Sequence, residues 1–145
     1  MTARLIAEWM SFVGWLHTAV RKDSRALALF ADAEDLADEA GDGTIAAIAA
    51  SFRGYLARLQ GRPRSAIRAS AAALATPGSR PHTAHLRPAA NRASIPADQQ
   101  DAEWMNEYHR ALAYASQRAC LTRKEPSLLP SRDGLSLLPL HAAPT

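Results

Sequence analysis

Ser11-Phe12-Val13-Gly14-Trp15-Leu16 returns forty residues later as Ser51-Phe52-Arg53-Gly54-Tyr55-Leu56. At the same offset Ala7 meets Ala47, Ala26 meets Ala66, Ala31 meets Ala71 and Ala33 meets Ala73. Self-similarity at a fixed period of this size predicts stacked helical hairpins, each burying its apolar side against its neighbours. Arrays of that kind present extended surfaces to other chains.

Working outward, a first helix is predicted over residues 3–20, with Leu5, Trp9, Phe12, Leu16 and Ala19 on one face. Gly14 lies inside it, where glycine costs about 1 kcal/mol relative to alanine. Close approach of the next helix is a physical reason to keep it, and Gly54 takes the same place one period on. Asp23 or Ser24 can cap a second helix, because its side-chain oxygen accepts an otherwise free amide. Its buried stripe is Ala26, Phe30, Ala33, Ala37 and Ala40, with Asp32, Asp35 and Glu39 turned away. Gly41-Asp42-Gly43 ends it. A third helix over 44–60 is broken by Gly61-Arg62-Pro63, and Pro63 suits the first turn of a fourth helix over 63–75.

The pattern changes after Gly78. Residues 1–78 are expected to form the helical-repeat domain. Residues 79–97 hold Pro81, Pro88 and Pro96 without an apolar period and read as a linker. Residues 98–124 read as an additional helix with Trp104, Tyr108, Ala111, Leu112, Ala115 and Ala119 on its apolar face. Residues 125–145, with four prolines and little charge, read as a disordered tail. The expected fold is all-α: about two antiparallel helical hairpins, the additional helix and the tail.

Apolar residues make up 48% of the 145, but aromatics only 6%. Much of the apolar content is alanine, which favours helix yet buries little area. The core is therefore expected to depend on Trp9, Phe12, Trp15, Phe30, Phe52, Tyr55 and Trp104. The formal charge of +3 is unevenly spread. No Asp or Glu occurs from Gly43 to Ala97, where Arg53, Arg58, Arg62, Arg64, Arg68, Arg80, Arg87 and Arg92 all fall. The stretch before it is acidic. One half can contact an anionic partner, or the two halves can satisfy each other; the plainer reading is solvated faces of opposite sign. Arg58, Arg62, Arg64 and Arg68, around the turn between the third and fourth helices, are the candidate partner-binding residues, able to hold phosphate or an acidic peptide.

Cys120 is the only cysteine, which excludes an internal disulfide framework. No apolar run reaches the roughly 18 residues of a membrane span. The start, Met1-Thr2-Ala3-Arg4 followed by Glu8, does not read as a signal peptide, so a cytoplasmic location is expected.

The paired helices resemble tetratricopeptide hairpins. That pattern asks for a small residue in the first helix, then an alanine, an aromatic and a second alanine in the next. Gly14, Ala26, Phe30 and Ala33 meet it in the first unit; Gly54, Ala66 and Ala73 meet it in the second, where Ser70 replaces the aromatic. These seven are the expected repeat-packing residues. The forty-residue unit exceeds the family's usual thirty-four, which implies extra turns or a longer connection. More narrowly, Ala7-Glu8-Trp9-Met10-Ser11-Phe12-Val13-Gly14-Trp15-Leu16 followed by Leu36-Ala37-Asp38-Glu39-Ala40-Gly41-Asp42 resembles the repeat region of actinobacterial helix-turn-helix transcriptional regulators. In those proteins a DNA-binding domain precedes a helical region that senses a ligand or partner. No such domain is expected here, so the resemblance implies a sensing region, in truncated form.

Chemistry is weakly represented. His82 and His85 lack neighbouring carboxylate or thiol ligands and read as incidental loop histidines. The carboxylates from Asp32 to Glu39 fall on the outer side of an amphipathic helix, where solvated charge belongs. Cys120 and His109 are eleven residues apart, about 16 Å of helical rise, too far to pair. Cys120 is expected to be a buried small apolar residue. The expected function is a non-enzymatic module that binds a protein or peptide, without cofactor, metal or membrane. The rival is a nucleic-acid-binding protein using the arginine-rich middle, although specific DNA binding by this chain alone is not expected.

Overall fold

The computed structural model describes residues 2–124. Among them are six helices and no strand: α1 (Ala3–Ala19), α2 (Asp23–Glu39), α3 (Gly43–Leu59), α4 (Pro63–Ala75), α5 (Pro81–Ala93), a 3-10 turn (Ala97–Gln99) and α6 (Ala102–Lys124). The described residues are all-α, as the periodicity implied.

The forty-residue offset has a simple local origin. The first three helices are each 17 residues long, and three-residue turns separate them. Each of the first three turns closes in one way. The Lys22, Asp42 and Arg62 amides donate to the His17, Ala37 and Ala57 carbonyls at 2.9, 2.8 and 2.9 Å. The amides just before them, of Arg21, Gly41 and Gly61, donate to Thr18, Asp38 and Arg58. That is the six-to-one and five-to-two closure that ends a helix in a left-handed residue. The residue concerned has φ of 57° at Arg21 and 67° at Gly41 and Gly61. Helix and turn together thus occupy twenty residues, and two such units make the period. The length beyond thirty-four lies in the helices, not in the connections.

The caps differ in part from expectation. Asp42 Oδ1 accepts the Thr44 and Ile45 amides at 3.1 Å each and starts α3. Asp23 does not cap α2. It is already the first helical residue, preceded by Lys22 without a side-chain cap. Its carboxylate instead accepts from Arg21 at 3.1 and 2.9 Å and from Gln60 at 3.1 Å. A carboxylate in the first turn still favours the helix through the positive end of the dipole.

Packing inverts the expected face of α1. Ala7, Ser11, Gly14 and Thr18 are buried, while Trp9, Phe12 and Trp15 are 56, 49 and 41% exposed. Phe30 explains this. Its ring fills the α1–α2 contact so closely that a Cβ on Gly14 would lie 2.6 Å from Phe30 Cε1. Only the small face of α1 can sit against it. Phe30 is also stacked on Phe52 of α3, centroids 5.5 Å apart, and so links the first two pairs. Of the large residues expected in the core, Phe30 alone is fully buried; Phe52, Tyr55 and Trp104 are partly so. The repeat-packing residues Ala26, Ala33, Gly54, Ala66 and Ala73 are all buried.

At α3–α4 the ring is missing, because Ser70 stands where Phe30 stands forty residues earlier. Asn91 of α5 fills the space. Its Nδ2 donates to the Ser51 carbonyl at 3.0 Å and lies 3.5 Å from Ser70 Oγ. The buried amide is thus satisfied where a ring would otherwise pack, as a buried polar group requires.

Residues 79–97, expected as a linker, contain α5. Pro81 occupies the first turn, where its missing amide costs nothing, although Pro88 sits inside the helix. Pro81, His85, Pro88, Asn91 and Arg92 are buried or half-buried, a helical stripe built from residues that do not register as apolar, and Ile95 just after the helix is buried too. The additional helix α6 packs on α4 and α5, which makes it the second arm of a third pair. Met105, Tyr108, Ala115 and Ala119 are buried along it, and Met105, Tyr108 and Ala115 join Ile67 and Leu74 of α4 in the largest apolar cluster. Arg118 closes the end of α4, donating to the Thr76 and Leu74 carbonyls at 2.6 and 3.0 Å and to Ser79 Oγ at 2.9 Å. Cys120 is exposed, not buried, because it lies beside Ala119 and off the α6 stripe that faces α4. The expected disordered tail lies outside the described residues.

Candidate functional site

Helices α1, α3 and α5 touch in sequence and make one layer; α4 and α6 touch in the other. On the first layer lies a groove of about 360 Å³, lined by Trp15, Phe52, Tyr55, Arg58, Arg87, Ala90, Asn91 and Ser94. The forty-residue offset puts aromatic side chains here: Trp15 and Tyr55 are equivalent positions on α1 and α3. Phe52 is held from behind by its stack on Phe30, and Asn91 by the Ser51 carbonyl.

Two arginines lie on these rings. The Arg58 guanidinium carbon is 4.9 Å from the Tyr55 ring centroid, and that of Arg87 is 4.2 Å from the Phe52 centroid. Such stacking holds a cation in place while leaving its N–H edges free to meet an anion. The Arg58 Nε is buried and has no hydrogen-bond partner among the described residues. Burial against Phe52 lowers the pKa of Arg87 from its usual value, and the guanidinium still carries its charge. No carboxylate lines the groove. It therefore pairs an apolar floor with uncompensated positive charge.

The four arginines singled out in the sequence do not form one cluster. Arg58 opens on the groove. Arg62 and Arg64 border a shallower hollow of about 610 Å³ with Asp98 and Asp101, where Arg64 pairs with Asp101 at 3.1 Å. Arg68 lies over Trp104, 4.4 Å from its centroid, and shares a hollow of about 320 Å³ with Arg62 and Arg53. The larger hollow offers balanced charge and no aromatic side chain, which makes it the poorer binding site. Arg53, on the same helix as Arg58, is engaged in a two-bond pair with Glu34 at 2.6 and 2.8 Å.

Sequence reasoning missed Arg87 and Asn91, which fell in the expected linker, and took Trp15, Phe52 and Tyr55 for core. The available signal was the conjunction of aromatic residues at equivalent positions with an acid-free arginine run. Ile45, Ala46 and Ala47, at the start of α3, are buried and cannot reach base edges in the manner of a recognition helix. His82 and His85 fall within α5, not in a loop. Among the described residues no group of three His, Cys, Asp or Glu side chains is placed to hold a metal, and no helix is long and apolar enough to cross a membrane. No protein-family model, curated protein or solved structure matches this chain.

Proposed function

We propose that this chain is a non-enzymatic, tetratricopeptide-like module that binds a protein or peptide partner in the groove between α1, α3 and α5. Its role is regulatory, akin to the sensing region of the transcriptional regulators its sequence resembles. The observation that carries the reading is the groove itself: three aromatic side chains and two ring-stacked arginines with no acidic neighbour. The fitting ligand is an extended segment with an apolar anchor beside a carboxylate. Trp15 and the ring edges of Phe52 and Tyr55 take the anchor, and Arg58 and Arg87 take the charge. Arg53, Arg62 and Arg68 share a hollow, but Arg53 is paired with Glu34 and Arg68 lies over Trp104, which favours this reading over a phosphate-tracking surface.

The test is an array of short peptides that vary acidic and aromatic content, followed by titration of the best binders. Binding should require both features and weaken at least tenfold in Arg58→Glu and Arg87→Glu. It should fall only modestly with added salt. Preferential binding of RNA or duplex DNA with a steep salt slope would instead establish the nucleic-acid reading.

A further inference from the structure

Helix α1 carries two apolar faces. Its small one is buried on α2; its large one, Leu5, Trp9, Phe12, Leu16 and Val20, is 41, 56, 49, 44 and 64% exposed. The rings are already ordered among themselves. Trp9 meets Phe12 edge-on at 6.0 Å, and Phe12 stacks on Trp15 at 6.2 Å. Leu5, Glu8, Trp9 and Phe12 enclose a notch of about 350 Å³. A contiguous exposed apolar face of this size marks an interaction surface.

We propose that this face joins a second copy of the chain in a twofold-symmetric dimer. Three observations favour a second copy as the occupant. First, the centre of the face bears no charge. The neighbouring cation, Arg4, is paired with Asp42 at 2.9 Å, and Glu8 is one of the four residues lining the notch. Two like faces therefore meet through Leu5, Phe12 and Leu16, with one carboxylate from each copy beside them. Second, the size suits a dimer. From their exposed fractions the five side chains offer roughly 500 Å² per copy, or roughly 1,000 Å² for two, near the lower bound of specific interfaces. Third, the exposed side of α6 is mixed. Glu103, Asn106, His109, Arg110, Ser116 and Gln117 are exposed there beside Tyr114 and Leu121, which are 44 and 65% exposed. Head-to-tail stacking of α1 on α6 would cover those polar groups, whereas α1 against α1 closes the assembly at two.

The groove borders this face, because its Trp15 stacks on Phe12; the dimer is read from oligomeric state and the groove from peptide titration of the arginine variants, so the two readings fail separately. Sedimentation equilibrium of the full chain should give a dimer that dissociates in the micromolar range. Phe12→Glu, at a half-exposed position, should raise the dissociation constant at least thirtyfold with unchanged helical circular dichroism. Leu121→Glu on α6 should leave it unchanged. Phe12→Cys in a Cys120→Ser background should cross-link under mild oxidation. A monomer at the highest concentration reached would overturn the proposal. So would a full-length monomer that dimerises once residues 125–145 are removed, since their six leucines would then be the occupant. Loss of helicity in Phe12→Glu would turn the decision to Trp9→Glu, whose side chain is the more exposed. A dimer insensitive to both substitutions would also refute the assignment.

Discussion

Gly14 and Phe30 are predicted to be one packing unit, and a double-mutant cycle can measure the coupling. A Cβ at position 14 would stand 2.6, 2.9 and 3.2 Å from three atoms of the Phe30 ring, against ordinary contacts of about 3.4–4 Å. The ring has nowhere to go, being fully buried and stacked on Phe52 at 5.5 Å. Gly14→Leu gains about 0.8 kcal/mol of helix propensity and sets it against an overpacking cost of about 1–3 kcal/mol or more. The net loss should be roughly 1–2 kcal/mol. Phe30→Ala should cost about 3–5 kcal/mol by opening a cavity at the same place. In Gly14→Leu/Phe30→Ala the new side chain enters that cavity. The double variant should therefore be at least about 2 kcal/mol more stable than the sum of the two losses predicts. Urea unfolding followed by far-ultraviolet circular dichroism, at one fixed protein concentration, supplies the four free energies. Additive losses would show that α1 does not approach Phe30 closely. They would also remove the explanation for why the large face of α1 is turned outward.

Arg21 holds a left-handed φ of 57° where the equivalent turn has Gly61, so Arg21→Gly should raise the thermal midpoint despite loss of an exposed ion pair, and Gly61→Ala should destabilise by about 1 kcal/mol; thermal midpoints moving in the same direction would refute the turn equivalence. Arg118→Ala removes three hydrogen bonds at the end of α4 and should cost about 2–3 kcal/mol, with little recovery in Arg118→Lys because an ammonium lacks the planar fork; urea midpoints check this. Burial raises the pKa of Glu34 above its ordinary value, with Asp38 and Asp35 adding and Arg53 opposing. The native state then holds more proton than the unfolded chain between the ordinary and the raised value, so this group's contribution to stability falls as pH rises through that window. Glu34→Gln should flatten the slope, and an unchanged pH profile would contradict the assignment.

The parts of the fold legible in the sequence were those written in helix length and turn chemistry. Gly41 and Gly61 mark left-handed closures, Asp42 an N-cap, and Pro63 a first turn; each acts within a few residues of itself. Arg21 shows the limit of that reading, because an arginine takes the left-handed place without a compositional sign. Helix α5 was illegible for a different reason. Its inward stripe of Pro81, His85, Pro88 and Asn91 has helical spacing but little hydrophobic contrast, and Asn91 is inward only because Ser51 and Ser70 leave it a carbonyl and a space.

Which side of α1 faces inward was the harder question, and its answer decides where both candidate surfaces lie. Amphipathicity identified Leu5, Trp9, Phe12 and Leu16 correctly as one face. It could not say that this face stays outside, since hydrophobic area alone favours burying the larger side. The choice is made by the partner helix. Phe30 occupies the volume a large α1 residue would need, and only Ala7, Ser11, Gly14 and Thr18 fit against α2. One ring on α2 thereby displaces the aromatic side chains of α1 in two directions, Trp15 toward the groove and Trp9 and Phe12 toward the open end. Where Ser70 replaces that ring, the corresponding residues of α3, Phe52 and Tyr55, do not remain open, because α5 covers that side and its Arg87 lies on Phe52. The same aromatic pattern thus becomes an open face on α1 and a groove wall on α3, and the difference comes from what packs beside each helix.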